Sequence, residues 1–183
     1  MKISNIFVIV RDSLFAAKFQ KEDRNAFARM FELWNDAEFL EAFFEEHKQD
    51  LNAFWQHVTV QEAVIATMNE AILLERKLVA VAQTGLTDEN ETLSCLFRPL
   101  RNGTTKLEEL ERSKVRGSRR RSWLRIYAIR VDVNFFVVSG GAIKLTRTMN
   151  ERSHLVTELE KLEFLRGYLG DAENNELEIF EMY

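Results

Sequence analysis

Apolar and polar positions change their period several times along this chain. Residues 3–10 (ISNIFVIV) are β-branched and apolar, the pattern of a short first strand. Residues 21–57 turn to Phe, Ala, Leu and Glu with no Gly or Pro, and predict helix. Phe27, Met30, Phe31 and Trp34 fall at helical spacing, as do Leu40, Phe43 and Phe44; such stripes face a core. Asn35-Asp36 interrupts the pattern and can cap a second helix. Thr59-Val60-Gln61-Glu62 is a capping box that opens a helix to about Gln83, with Gly85 placed to end it. Val60, Val64, Met68, Ile72, Leu74 and Leu78 are its expected apolar face.

Residues 87–92 (TDENET) read as a loop, and 93–100 (LSCLFRPL) as a short strand that Pro99 ends. Asn102-Gly103 reads as a turn, and Thr105 to Glu108 as a second capping box opening a helix to about Lys114. A basic loop, 116–122, leads into two strong strand signals, 123–131 and 135–147, joined by Asp132-Val133-Asn134. Gly140-Gly141 inside the second predicts a bulge or a close backbone approach. A last helix is expected from near Asn150 or Ser153, with Leu155, Leu159, Leu162, Leu165 and Leu169 inward. The acidic tail, 171–183, is either a docked short helix or a loose end. The order gives a single α+β domain over 1–183: an N-terminal strand and helices, a small antiparallel sheet, then a C-terminal helix. Residues 11–86 read as a mainly helical extension.

Composition narrows the class without naming a function. The chain has 183 residues, 46% apolar and 30% charged, with 7 Gly and 1 Pro, which excludes collagen and disordered tails. One cysteine cannot form an internal disulfide, so a cytoplasmic location is expected. The first residues make a poor secretory signal, no run is long enough to span a bilayer, and no membrane role is expected. Charge adds more. The net of −4 divides into −7 over residues 1–94, +9 over 95–152 and −6 over 153–183. The basic block can face phosphates, be neutralised by the chain's own acidic helices, or take an acidic protein partner.

Motifs for most chemistries are missing. His47, His57, His154 and Cys95 show no metal-ligand spacing, so no metal and no cofactor is expected. There is no GxSxG, and SGGAIK is neither a dinucleotide-binding nor a phosphate-loop motif. The basic hairpin remains. Strand alternation puts Arg125, Tyr127 and Ile129 on one face, and Ala142, Lys144 and Thr146 on one face after the bulge. Arg147, with Lys114 to Arg116, can reach the rim. Arg and Lys there can hold a phosphate, Tyr can stack on a base or donate a proton, and Arg119, Arg120 and Arg121 can track a nucleic-acid backbone. A half-exposed sheet with polar residues outward has the same pattern.

At these residues the sequence resembles the C-terminal hairpin of RelE/HigB-type toxins of bacterial toxin–antitoxin systems. The resemblance rests on Arg125-Ile126-Tyr127, the turn at 132–134, Phe135 to Val138, and Lys144-Leu145-Thr146-Arg147; upstream, FRPLR (97–101) and KVRG (114–117) are similar to the family's preceding segments. It covers about residues 93–169. It implies a RelE-like fold and an mRNA endonuclease acting on ribosomes by attack of a ribose 2′-hydroxyl on the adjacent phosphate. It further implies that Arg125 stabilises the phosphate and that Lys144 and Arg147 do the same or assist proton transfer. Tyr127 would orient the nucleotide or belong to the core, with Lys114 and Arg116 as further candidates. A cognate antitoxin would be the partner. Two departures stand out: the chain is longer than such toxins, and it is acidic where they are basic. Two other readings stay open. One is a non-catalytic interaction protein whose long helices form an interface, a homodimer included; the other is a nucleic-acid-binding regulator that does not cleave.

Overall fold

The computed structural model describes residues 1–100, 110–117, 122–149 and 152–173. Among them are six strands and five helices: β1 (Ile3–Val10), β2 (Leu14–Phe19), α1 (Ala26–Trp34), α2 (Ala37–Glu46), α3 (Lys48–Phe54), α4 (Val60–Thr84), β3 (Arg98–Pro99), β4 (Glu111–Arg116), β5 (Leu124–Asp132), β6 (Phe135–Ile143) and α5 (Ser153–Glu173). The strands form one sheet in the order β1-β2-β6-β5-β4-β3. The class is α+β, as expected, but the sheet is mixed rather than antiparallel. Leu14, Phe15 and Ala16 of β2 run parallel to Phe136, Val137 and Val138 of β6. Among the described residues no helix is long and apolar enough to cross a membrane.

β2 falls inside the stretch expected to be helical. Leu14, Phe15, Ala16, Ala17 and Phe19 are all buried. A strand covered on both faces loses its alternation and reads like any short apolar run. The helices that follow match the sequence pattern. Asn25 caps α1 by accepting from Ala28 N at 2.9 Å, and Asp36 caps α2 by accepting from Glu38 N and Phe39 N, both at 3.0 Å. The capping box of α4 is made in full, with Thr59 Oγ1 accepting from Glu62 N and Thr59 N donating to Glu62 Oε2 at 2.8 Å. Its buried row is Val60, Ala63, Thr67, Glu70, Ala71, Leu74, Leu78 and Ala82, whereas Ile72 is 39% exposed and Val64 and Met68 are half-buried.

Two further expectations are corrected. Residues 93–100 form a short 3-10 turn at Leu93–Cys95 followed by the two-residue β3. The helix predicted to reach Lys114 starts in 101–109, outside the described residues, but Glu111–Arg116 is strand β4, paired antiparallel with β5. Gly85 ends α4 as expected, in a right-handed conformation, φ −65°. It is small because the Asn134 side chain lies where a Cβ would stand.

Alternation along the strands builds two cores. Leu14, Ala16, Leu124, Ile126, Ala128, Phe136 and Val138 face α1 to α4, which share this cluster with the sheet. Phe15, Ala17, Tyr127, Ile129, Val137 and Ala142 face α5 through Leu155, Leu162, Leu165 and Leu169. The predicted β5–β6 hairpin forms with Val133-Asn134 at its turn. Register shifts from Tyr127↔Gly140 to Ala128↔Val138, so Ser139 is the extra residue of a bulge next to the glycine pair.

Asn134 ties three parts together. It accepts from Leu93 N at 2.9 Å, donates from Nδ2 to Ala82 O at 3.0 Å, and its carbonyl accepts from Ser13 Oγ at 2.8 Å.

Candidate nucleic-acid interface on the sheet

On the face that carries α5, register places cations side by side at the β3–β4–β5 end of the sheet. Arg98 of β3 is paired with Lys114 of β4, and Lys114 in turn with Tyr127 of β5. One step along, Arg116 is paired with Arg125. Both β3–β4 and β4–β5 therefore carry like charges directly opposite, an arrangement that destabilises a sheet unless a counter-charge arrives. Arg116 and Arg98 are exposed, while Lys114 and Arg125 are half-buried. Burial lowers the Lys114 pKa, with further lowering from Arg116 and Arg125. Arg125 is lowered first by burial and then by Arg116, against attraction from Tyr127 and Glu70. Its Nη1 donates to Ser122 O at 2.8 Å and to Leu124 O at 2.6 Å, which fixes the guanidinium over the end of β5. Among the described residues none of these four cations is in an ion pair.

Two other cations of the basic block are neutralised internally. Arg152 makes a two-pronged bond to Asp50, at 2.7 and 2.6 Å, and Arg112 reaches Glu163 on α5 at 2.8 Å. Neutralisation by acidic helices thus holds at Arg112 and Arg152 and does not reach the four cations of the ledge among the described residues.

The predicted quartet of Arg125, Tyr127, Lys144 and Arg147 does not present itself together. Tyr127 is 1% exposed, packs in the α5-side core, and donates its hydroxyl to Met149 Sδ at 2.9 Å. Burial pushes its titration upward. β6 ends at Ile143, so Lys144 leaves the alternation. Its ammonium donates to Thr146 O at 2.9 Å and Arg147 O at 2.6 Å, bracing the loop that follows. Arg147 is exposed on that loop. Arg119, Arg120 and Arg121 lie outside the described residues. Sequence reasoning missed Arg98 as a ledge residue; the signal was FRPLR, whose arginine takes the edge position beside Lys114.

A second polar region lies across the sheet. A cavity of about 300 Å³ is lined by α1, α2, the start of α5 and the Gly140–Ile143 backbone. Glu22, Arg29, Glu158 and Lys161 meet in it. Among the described residues no cluster of His, Cys, Asp or Glu is placed to hold a metal ion. The cations of the sheet can bind an anion by charge and hydrogen bonds. Chemically they can also stabilise charge growing on a phosphate. No protein-family model, curated protein or solved structure matches this chain.

Proposed function

We propose that this chain binds RNA through the ledge formed by Arg98, Lys114, Arg116 and Arg125, and that it acts on the RNA phosphate in the manner the RelE/HigB-type resemblance implies. The observation that carries the reading is the pairing of like charges across β3–β4 and β4–β5, with no ion pair to any of the four cations among the described residues and only the longer-range attraction of Glu70 acting on Arg125. A folded chain that keeps such a row is stabilised by an anion that occupies it. A ledge across the ends of three strands suits a row of phosphates, and single-stranded RNA also offers the 2′-hydroxyl that cleavage needs.

Within this reading Arg125 grips the scissile phosphate, held by its two carbonyl acceptors. Lys114, half-buried between two arginines and lowered in pKa, is the group suited to move a proton. Tyr127 is left a core role. Lys144 sets the loop that carries Arg147 to the rim. An antitoxin would neutralise the ledge with carboxylates.

The test is anisotropy of a labelled single-stranded RNA at several salt concentrations, followed by a cleavage assay on ribosome-bound mRNA. Affinity should fall steeply with salt. Replacing Lys114, Arg116 and Arg125 together by Gln should reduce the slope of log K against log salt by about 2, three contacts at ~0.7 each. A flat salt dependence, or a triple variant that binds as the parent does, ends the RNA reading. A second reading, the non-catalytic binder, is favoured by the burial of the Tyr127 hydroxyl; binding that survives with no cleavage selects it.

A further inference from the structure

The cavity between α1, α2, α5 and β6 contains none of the ledge residues and is independent of the RNA reading. Its centre is a buried charge network. Lys161, 8% exposed, donates to Glu22 Oε1 at 2.7 Å and to Glu158 Oε1 at 3.2 Å, and lies 5.4 Å over the ring of Phe19. Arg29 Nη1 lies 3.3 Å from the same Glu22 oxygen. The donors are thus spent on one oxygen of each carboxylate. Glu22 Oε2 and Glu158 Oε2 are buried without any hydrogen-bond partner. Glu158 itself is 8% exposed. Buried polar atoms are nearly always paired, so two orphan acceptors in one cavity mark a shortage of donors.

Charge points the same way. Glu22, Glu158 and, at the mouth, Glu46 oppose Arg29 and Lys161. His154 lines the wall, donates Nε2–H to Ile143 O at 3.1 Å, and is biased toward its neutral form by burial. His47 faces Asp50, which Arg152 also holds. Among the described lining residues carboxylates outnumber Arg and Lys by one, and burial raises the Glu158 pKa, an effect that a cation bound beside it would oppose. Its other lining is apolar and aromatic: Trp34, Phe39 and Phe43 beside Met30 and Leu33. Gly140 is part of the design, because a Cβ there would overlap the Glu158 carboxylate.

We propose that this cavity binds a small alkylammonium ligand, whose nitrogen donates to the free oxygens of Glu22 and Glu158 and whose carbon chain lies on Trp34 and Phe43. The nitrogen supplies the missing donors and the missing positive charge, and the aromatic faces favour a cation. A diamine metabolite and the side chain of a partner's lysine share this chemistry.

Calorimetric titration of the full chain tests it, with n-butylammonium, 1,4-diaminobutane, Nα-acetyl-lysine methylamide and the neutral n-butanol as probes. Butylammonium should bind saturably at one site and butanol should not. Glu158→Gln and Glu22→Gln should each weaken butylammonium about tenfold or more, the loss of a charge-assisted bond, with RNA affinity unchanged. Tighter binding of diaminobutane than of the lysine derivative supports a free amine as the source; the reverse supports a lysine side chain. A rise in melting temperature of the unaltered chain with butylammonium and not with butanol reads the same preference should the variants fail to fold. Equal responses to butylammonium and butanol, no saturable amine binding, or folded Gln variants that bind as the parent does, overturn the proposal. The ledge triple variant should keep its amine affinity, so the two sites fail separately.

Discussion

At the ledge, Arg98, Lys114, Arg116 and Arg125 stand beside one another with no ion pair among the described residues, and Arg125 donates to two carbonyls. Across the sheet, Lys161 is sunk between two carboxylates and both signs of charge interleave. The ledge gathers charge near solvent, where a ligand can supply what is missing. The cavity gathers charge in the interior, where each group must be held by the next or the protein is destabilised. Repulsion at an exposed row is mild, because water screens it. A lone buried charge is far more costly. The two regions should therefore answer mutation with opposite signs.

The strongest way to break this contrast is Lys161→Met. It leaves Glu22 and Glu158 facing each other without their shared ammonium, and should lower stability by ~3–5 kcal/mol, read by urea unfolding. A loss under about 1 kcal/mol would mean that the network is not what holds α5 to the segment before α1. At the ledge, Arg125→Gln removes one of two opposed arginines. Stability should stay level or rise by up to about 1 kcal/mol while RNA affinity falls, so that one change separates folding from binding. A clear destabilisation would show that the guanidinium's bonds to Ser122 O and Leu124 O matter more than its repulsion.

Acid titration sharpens the cavity side. His154 takes up a proton less readily when folded than when unfolded, because burial, His47 and Arg152 oppose its charge. The unfolded chain binds that proton first as pH falls through about 6.5, so the native state loses stability on going from pH 7 to 5. In His154→Gln that part of the slope should vanish, and the two unfolding curves should converge toward acid pH. Parallel slopes would place the pH sensitivity elsewhere. The smallest effect is Tyr127→Phe. Its hydroxyl meets only a thioether, so stability should change by less than about 1 kcal/mol and RNA cleavage, where present, should persist. Loss of cleavage with intact folding would restore Tyr127 to the reaction.

What could be read from the chain was local. The capping box at Thr59, the cap at Asp36, the hairpin of β5 and β6 and the glycine bulge all depend on residues a few positions apart. The face shared by Arg125, Tyr127 and Ile129 follows from strand alternation alone. What escaped joins distant positions. Glu22 and Lys161 are 139 residues apart, and Asp50 and Arg152 are 102 apart. The parallel pairing of β2 with β6 has no local mark. Lys144 was misjudged because alternation was carried past Ile143, where the strand stops. One clue to the cavity was in view: Glu158 and Lys161 occupy the inward row of α5 with Leu155, Leu162, Leu165 and Leu169, where a leucine would be the ordinary choice.

The turn amide of Asn134 has a consequence for how the protein is made. The amino-terminal hairpin, the end of α4 and the segment at Leu93 are all complete long before the ribosome reaches this residue. Until it emerges, Ser13, Ala82 and Leu93 lack their common partner, and β2 lacks β6. These three hydrogen bonds and the β2–β6 pairing therefore form only once the second half of the chain has been made, and the three bonds all meet at one turn residue.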